Sequence, residues 1–294
     1  MKILVIGSNG QLGRCLTDQL EHHEFSFISA SRDQIDISNF QSTKSKIKLI
    51  SPDIIINASA YTAVDKAEND RETAEVINYL AVSNLAEICV ELDCWLIHIS
   101  TDYVFDGNSK TPYLEGDKTN PQGVYGDTKL QGEIAIQSSS CKHIIVRTAW
   151  VFSEHGSNFL KTMLKLGSVN NEINVVGDQI GCPTYAQDIA KAIIHILPSL
   201  LSSQANSGLY HFCGNEACSW YNFSNEIFTE AKLMGYKSPD LINQIATSAY
   251  PTPAVRPAYS VLDCTLIHNT FGVDRSDWRA GIRMSLHNLK IQVD

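Results

Sequence analysis

Residues 2–13 read KILVIGSNGQLG, a run of aliphatic residues that stops at Gly7 and is followed at three-residue steps by Gly10 and Gly13. A short apolar run of this kind predicts a strand buried on both faces of a parallel sheet. The glycines come directly after it, and RCLTDQL, with a helical pattern, comes directly after them. That order puts a glycine turn at a strand–helix junction, where the backbone can approach a pyrophosphate and the helix N-terminus faces the anion. The spacing is GxxGxxG rather than GxGxxG, but the physical requirement is the same. Gly7, Gly10, Gln11, Leu12 and Gly13 are therefore candidate dinucleotide contacts.

The first half of the chain repeats this strand–helix rhythm. FSFIS (25–29), DIIIN (53–57), WLIHIS (95–100) and HIIVRT (143–148) read as further strands. Between them, Ala74, Ile77, Ala81, Leu85, Ile88 and Leu92 recur at three- and four-residue steps and predict one amphipathic helix over 72–92. Alternating strands and helices imply right-handed crossovers and a doubly wound sheet. After about residue 150 the rhythm changes. NFLKTMLKL, IAKAIIHIL and WYNFSNEIFTEAKLMG read as helices, GLYHFCG (208–214) as one more strand, and prolines 251, 253 and 257 mark a fixed loop beside a ligand. The expected fold class is α/β, a Rossmann-like doubly wound parallel sheet with a smaller C-terminal substrate-binding domain. Residues 1–150 would form the dinucleotide domain, rejoined by about 186–214, and 151–294 would mainly bind substrate.

Composition removes several classes. The formal net charge is −9 and no basic face is visible, which argues against a nucleic-acid partner. KILVIG is too short for a signal segment, and no apolar stretch reaches membrane-spanning length, so no membrane partner is expected. The eight cysteines lack CxxC spacing and mostly sit in apolar company, as in AEICVELDCW. They read as reduced core fillers of a cytoplasmic protein.

The end of the second strand bears on cofactor choice, because an acidic residue there takes ribose hydroxyls whereas arginine suits a 2′-phosphate. Arg32 follows Ser29-Ala30-Ser31 and fits NADPH, with NADH as the alternative. In the competing reading Arg32 is a solvated cation and Asp33 serves the ribose. Asp36 and Ile37 are placed to hydrogen-bond and pack against an adenine ring. Tyr125-Gly126-Asp127-Thr128-Lys129 is a YxxxK motif opening a helical segment, which sets Tyr125 and Lys129 on one face. An ammonium near a phenol is expected to favour the tyrosinate and tune the group for proton transfer near neutrality. Strand 95–100 ends in Ser100-Thr101-Asp102, a hydroxyl and a carboxylate at the sheet edge where doubly wound folds bind ligands. Asn57 and Asn78 read as backbone-bonding structural residues, and His98 as a satisfied core histidine.

Together GSNGQLG, NASAYTAVDKAE (57–68), STDYVFDG (100–107), YGDTK (125–129) and RTAWVF (147–152) resemble the extended short-chain dehydrogenase/reductases. With GDQIGCPT (177–184) and YPTPAVRPAYSVL (250–262), the chain is similar along its whole length to the dTDP-4-dehydrorhamnose reductase family. The resemblance implies NADPH-dependent reduction of the 4-keto group of dTDP-4-dehydro-L-rhamnose, a nucleotide-sugar substrate. Tyr125 would donate the proton, Lys129 would hold the nicotinamide ribose, and Thr101 would hydrogen-bond the substrate oxygen. Asp102 and Trp150 would meet the sugar, Ala60, Tyr61 and Thr62 would lie along the cofactor, and Arg256 would face the diphosphate.

Some members of that family are dimers joined through a magnesium site built from glutamates. Here the corresponding positions are Cys15 and Gln187, neither suited to a hard cation, and the C-terminal segment offers only Asp294. The expectation is no metal, and a monomer or a metal-free homodimer. The beta subunit of methionine adenosyltransferase resembles the same family, so a non-catalytic NADP-binding regulatory subunit is the competing class. A 4,6-dehydratase would need tightly held NAD and an acid/base carboxylate after the threonine, which Asp102 partly mimics. An epimerase would leave Arg32 unexplained.

Overall fold

The computed structural model describes residues 1–202 and 206–291; Asp294 lies outside the described residues. The first part of the chain runs β1 (Lys2–Ile6), α1 (Gln11–Leu20), β2 (Ser26–Ala30), α2 (Phe40–Ile50), β3 (Ile54–Asn57), α3 (Val64–Ala67), α4 (Arg71–Glu75), α5 (Ala81–Leu92), β4 (Trp95–Thr101), α6 (Val124–Ser138) and β5 (Lys142–Thr148). It continues through β6 (Val151–Phe152), α7 (Phe159–Val169), β7 (Glu172–Val176), β8 (Ile180–Gly181), β9 (Thr184–Tyr185), α8 (Ala186–Ile196), β10 (Gly208–His211), β11 (Cys218–Ser219), α9 (Trp220–Leu233), β12 (Leu241–Ile245), α10 (Thr265–Phe271) and α11 (Trp278–Ile291).

Six strands form one sheet in the order β10-β5-β4-β3-β1-β2, every pair parallel. Side chains alternate across the pleat, so the continuous aliphatic runs supply two cores. Ile3, Val5, Ile54, Ile56 and Ile97 pack with Leu12, Leu16 and Leu20 of α1 and Ile189 and Ile193 of α8. Leu4, Ile6, Ile55 and Leu96 pack on the other face with Ile47 of α2, Leu85 and Ile88 of α5 and Ile136 of α6. Helices on both faces of a parallel sheet make this the doubly wound, Rossmann-like architecture read from the sequence. The strand order reverses direction between β3 and β1, and the carboxyl ends of β1, β3, β4 and β5 open there onto one cleft. A third core joins Phe152, Leu160, Met163, Val175, Phe223, Phe228, Trp278 and Ile282, tying α7, α9 and α11 to β7.

Two local departures from the sequence reading have physical causes. The helix expected over 72–92 is interrupted by a π-helical turn at Val76–Leu80. Asn78 lies in that turn, fully buried, and its amide bonds both the N–H and the carbonyl of Tyr61 at 2.9 and 3.1 Å. π-turns of this kind commonly mark functional sites. The parallel pair β7–β12 is also absent from the sequence reading. Its sequences, EINVV and LINQI, carry polar residues where the central strands carry isoleucine and leucine. Seven of the eight cysteines are buried and all eight are free thiols, in line with their reading as core residues.

Candidate active site

The glycine turn is shaped by close backbone contact. Gly7 has φ +86°, a conformation L side chains rarely adopt, and a Cβ on Gly13 would lie 2.1 Å from the Gly7 carbonyl oxygen. The Gly10 N–H donates to that same carbonyl at 3.0 Å. α1 thus starts against the end of β1 with room left in front of its first N–H groups. Behind the turn, Ser153 and Asn158 donate to the side-chain oxygen of Gln11 at 3.1 and 2.7 Å, which links it to the segment after β6.

Gly7, Gly10, Gln11 and Leu12 line one lip of a cleft of about 800 Å³, with Arg32, Ala60 and Thr62. Thr101, Asp102, Tyr125, Lys129, Trp150 and Arg256 line the remainder. Four of the expected contacts do not line it. Gly13 packs beneath the turn, Ile37 is buried in the second core, and Asp36 accepts bonds from the Ser38 N–H and hydroxyl at 3.0 and 2.7 Å. The Tyr61 phenol donates to Asp70 at 3.0 Å. Arg32 makes a 3.5 Å contact with Asp36, and its side chain is 74% exposed.

Tyr125 and Lys129 sit one turn apart at the start of α6, and Thr101 ends β4 beside them. Burial pushes the Tyr125 phenol above its ordinary value, with a Thr101 hydrogen bond offsetting only part of the effect. This corrects the expectation that a neighbouring ammonium favours the tyrosinate. The Lys129 amine is turned away, 3.1 Å from His98 Nε2 and donating to the Ile99 carbonyl at 2.6 Å. In the ligand-free chain the proton stays on Tyr125.

Three side-chain oxygens along the floor, Ser100 Oγ, Asp102 Oδ2 and Thr148 Oγ1, are buried without a hydrogen-bond partner among the described residues. Orphaned polar atoms are costly unless a ligand satisfies them. Together with a turn that a Cβ would fill, they fit a polar dinucleotide and sugar. Burial pushes the Asp102 carboxyl up to about 7, against an ordinary value of 3.8, with the hydrogen bond from the Thr101 hydroxyl to Oδ1 at 3.1 Å offsetting part of it. The folded chain therefore holds this proton more tightly than the unfolded chain. The resulting stability is complete below the unfolded value and is lost as the pH rises through the folded one. Asp102→Asn should accordingly gain stability on the parent as the pH rises from about 3 to about 8, by up to ~4 kcal/mol at about 1.4 kcal/mol per tenfold change in proton affinity. Thermal melts across that range check this; parallel pH dependence in the two proteins would contradict it.

Trp150 adopts φ +48°, in the left-handed region. Its ring stacks on Trp220 at 3.4 Å between centroids and 6° between planes, and packs so closely over Gly181 that a Cβ there would lie 2.5 Å from the indole. A bulky residue held at positive φ costs of order 1–3 kcal/mol and persists where surrounding structure over-determines it. Trp220 was missed in the sequence because it opens an amphipathic helix seventy residues beyond its partner. Arg256 is already paired, to Asp65 at 2.7 Å and to the Tyr103 hydroxyl at 3.0 Å. Cys15 is fully buried and Gln187 half-buried. Among the described residues no group of three or more His, Cys, Asp or Glu side chains could hold a metal ion, and no helix is long and apolar enough to cross a membrane.

With tyrosine and lysine one helical turn apart at the carboxyl edge of a doubly wound sheet, and a glycine turn on the opposite lip, the chain falls among the nicotinamide-dependent short-chain dehydrogenases/reductases of the extended type. Within that class it belongs to the family described as RmlD substrate binding domain, whose model matches residues 1–291. It is 40% identical over 293 residues to the dTDP-4-dehydrorhamnose reductase of Escherichia coli strain K12, covering 98% of both chains. It is 41% identical to that of Aggregatibacter actinomycetemcomitans, covering 96% of this chain and 97% of the relative. Among solved structures, a dTDP-4-dehydrorhamnose reductase from Clostridium acetobutylicum superposes with a TM-score of 0.91 at 37% identity, covering 99% of this chain and 100% of that one. The enzyme from Bacillus anthracis in complex with NADP superposes with a TM-score of 0.89 at 33% identity, covering 99% of each chain.

Proposed function

We propose that this protein reduces the 4-keto group of dTDP-4-dehydro-L-rhamnose to give dTDP-L-rhamnose, with NADPH as reductant. The observation that carries the reading is the half-buried Tyr125 lining the cleft with Thr101 and Lys129, in a chain that aligns end to end with dTDP-4-dehydrorhamnose reductases. When bound, NADPH supplies the hydride. The chain's residues hold the substrate and move the proton. Thr101 and Tyr125 hydrogen-bond the sugar O4, and Tyr125 gives up its phenolic proton as negative charge develops there. Lys129 holds the nicotinamide ribose. The Trp150–Trp220 stack forms an apolar wall against the sugar ring, Asp102 meets its hydroxyls, and Arg256 turns toward the diphosphate. Residues 1–150, rejoined by about 186–214, hold the cofactor, and 151–294 mainly hold the substrate. With Cys15 buried in the core, the protein works without a bridging metal, as a monomer or metal-free homodimer in the cytoplasm.

NADPH oxidation with a panel of nucleotide-linked 4-keto-6-deoxysugars tests this directly. The dTDP-linked L-lyxo-4-keto sugar is expected to be turned over fastest. NADPH binding without oxidation of any member would favour a regulatory subunit instead.

Cofactor preference is read at Arg32. Loss of one charged hydrogen bond costs about 1.5–3 kcal/mol, so Arg32→Ala should weaken NADPH by roughly one to two orders of magnitude in Kd and leave NADH nearly unchanged. Titration of both cofactors checks it, and equal weakening would show that Arg32 does not read the 2′-phosphate.

A further inference from the structure

Beneath the cleft, outside the set of residues assigned to substrate and cofactor, a chain of buried polar groups ends on Lys129. Asn57 closes β3, and its side-chain Oδ1 accepts from the Ser59 N–H at 3.1 Å and from the Ser59 hydroxyl at 2.5 Å. A backbone N–H can only donate, so the amide cannot be turned over without placing its NH₂ against that N–H. Its Nδ2 therefore points at His98 Nδ1, 3.1 Å away. Nδ2 is also only a donor, so Nδ1 must be the accepting nitrogen, and the single proton of the neutral ring sits on Nε2. That N–H faces Lys129 Nζ at 3.1 Å. An ammonium has no lone pair to receive it; a neutral amine does, while still donating to the Ile99 carbonyl at 2.6 Å. Asn57 and His98 are fully buried and Lys129 is 2% exposed, so water does not relieve a clash of donors.

We propose that Asn57 and His98 are positioning residues that lock the imidazole in its Nε2–H tautomer and thereby favour the neutral amine of Lys129 in the cofactor-free cleft. The charges around the lysine agree with this. Burial pushes its amine down to about 8, against which Glu133 on the same helix pulls upward. Glu133 is itself paired with Arg147 of β5 through contacts of 2.9 and 2.7 Å. Tyr125 on α6 stays protonated, Asp102 and Tyr103 act on Tyr125 from the turn after β4, and β3 contributes only the neutral Asn57. An imidazolium is excluded on the same geometry, since its second N–H would face Asn57 Nδ2, and burial holds the His98 ring well below its ordinary value.

The consequence rests on the reading of Tyr125 and Lys129 as the working pair. With the amine neutral, the proton available at the pair is the phenol's own, and the phenol is the group that must give one up in a reduction. Protonating Lys129 requires His98 to change tautomer, Asn57 to turn over, and the Ser59 N–H to lose its acceptor. Ser59 lines the cleft beside Gly7, so the charge of the lysine is tied to the backbone on the cofactor side.

Long-range proton–nitrogen NMR of ¹⁵N-histidine-labelled, cofactor-free protein reads the tautomer, with the His98 signals assigned by their loss in His98→Gln. The Nε2–H form is expected. Asn57→Asp keeps the shape but puts an acceptor where Nδ2 stood, so it should switch His98 to the Nδ1–H form. The switched ring then accepts from the ammonium, and the Lys129 titration, followed in ¹³C,¹⁵N-lysine-labelled protein, should move upward by about one pH unit or more. A wild-type Nδ1–H form or imidazolium would overturn the proposal, as would a Lys129 titration unmoved by a completed tautomer switch. None of these readouts needs turnover. A protein with the expected tautomer that reduces no sugar would refute the proposed reaction while leaving the lock intact.

Discussion

Tyr125→Phe is expected to lower kcat by roughly 10²–10⁴-fold with little change in NADPH affinity. The substitution keeps the ring, and with it the edge-to-face packing against Tyr103 at 5.6 Å between centroids, and removes only the hydroxyl. Burial holds that hydroxyl protonated in the free enzyme, beside Thr101 and at the floor of the cleft. Without it, charge developing on the substrate oxygen has no proton donor and must rely on the Thr101 hydroxyl alone. Because the loss falls on a group that interacts most strongly in the transition state, kcat and kcat/KM should fall together. Steady-state kinetics with a parallel NADPH titration separate the cases: near-normal turnover removes Tyr125 from the role, and lost cofactor binding assigns it to the ribose instead.

The second large effect is structural. In Gly13→Ala the new Cβ would lie 2.1 Å from the Gly7 carbonyl oxygen and 2.7 Å from the Ser8 Cα. Both are backbone atoms of the turn itself, so no side chain can swing aside. α1 must move away from β1, at a cost of about 1–3 kcal/mol in strain, and the N–H groups that face a pyrophosphate move with it. NADPH binding should be largely lost in a protein that still folds with a lowered melting temperature. Gly116→Ala is the control, because a Cβ there meets nothing within 4 Å and should leave both quantities unchanged. A Gly13→Ala protein that binds NADPH as the parent does would mean that the turn is not the phosphate site.

The parts of the structure visible in the sequence are those in which neighbouring residues decide the outcome. The β1–turn–α1 unit is local, and the runs LVI and III specify strands buried on both faces whatever lies further along the chain. The tyrosine and lysine of YxxxK are likewise set on one face by helix geometry alone. What the sequence did not reveal depends on segments brought together from far apart. β7 and β12 pair across sixty-odd residues with polar side chains that carry no strand signature. The stack of Trp150 on Trp220 exists only once β5 and α9 meet. His98 reads as a satisfied core histidine, and it is one, but that its partner is Lys129 depends on how α6 crosses β4. The direction of the Tyr125 shift is hidden from the sequence for the same reason: helical spacing places a lysine near the phenol without saying where its amine points.

Reduction of dTDP-4-dehydro-L-rhamnose with NADPH deuterated at nicotinamide C4 on the transferred face, with the product examined by NMR, tests the central claim most directly. Direct hydride delivery to a ketone held by Thr101 and Tyr125 predicts dTDP-L-rhamnose carrying one deuterium at sugar C4, in step with NADPH consumed. Recovery of the ketone unchanged, of the C4 epimer, or of product without deuterium at that carbon would contradict it.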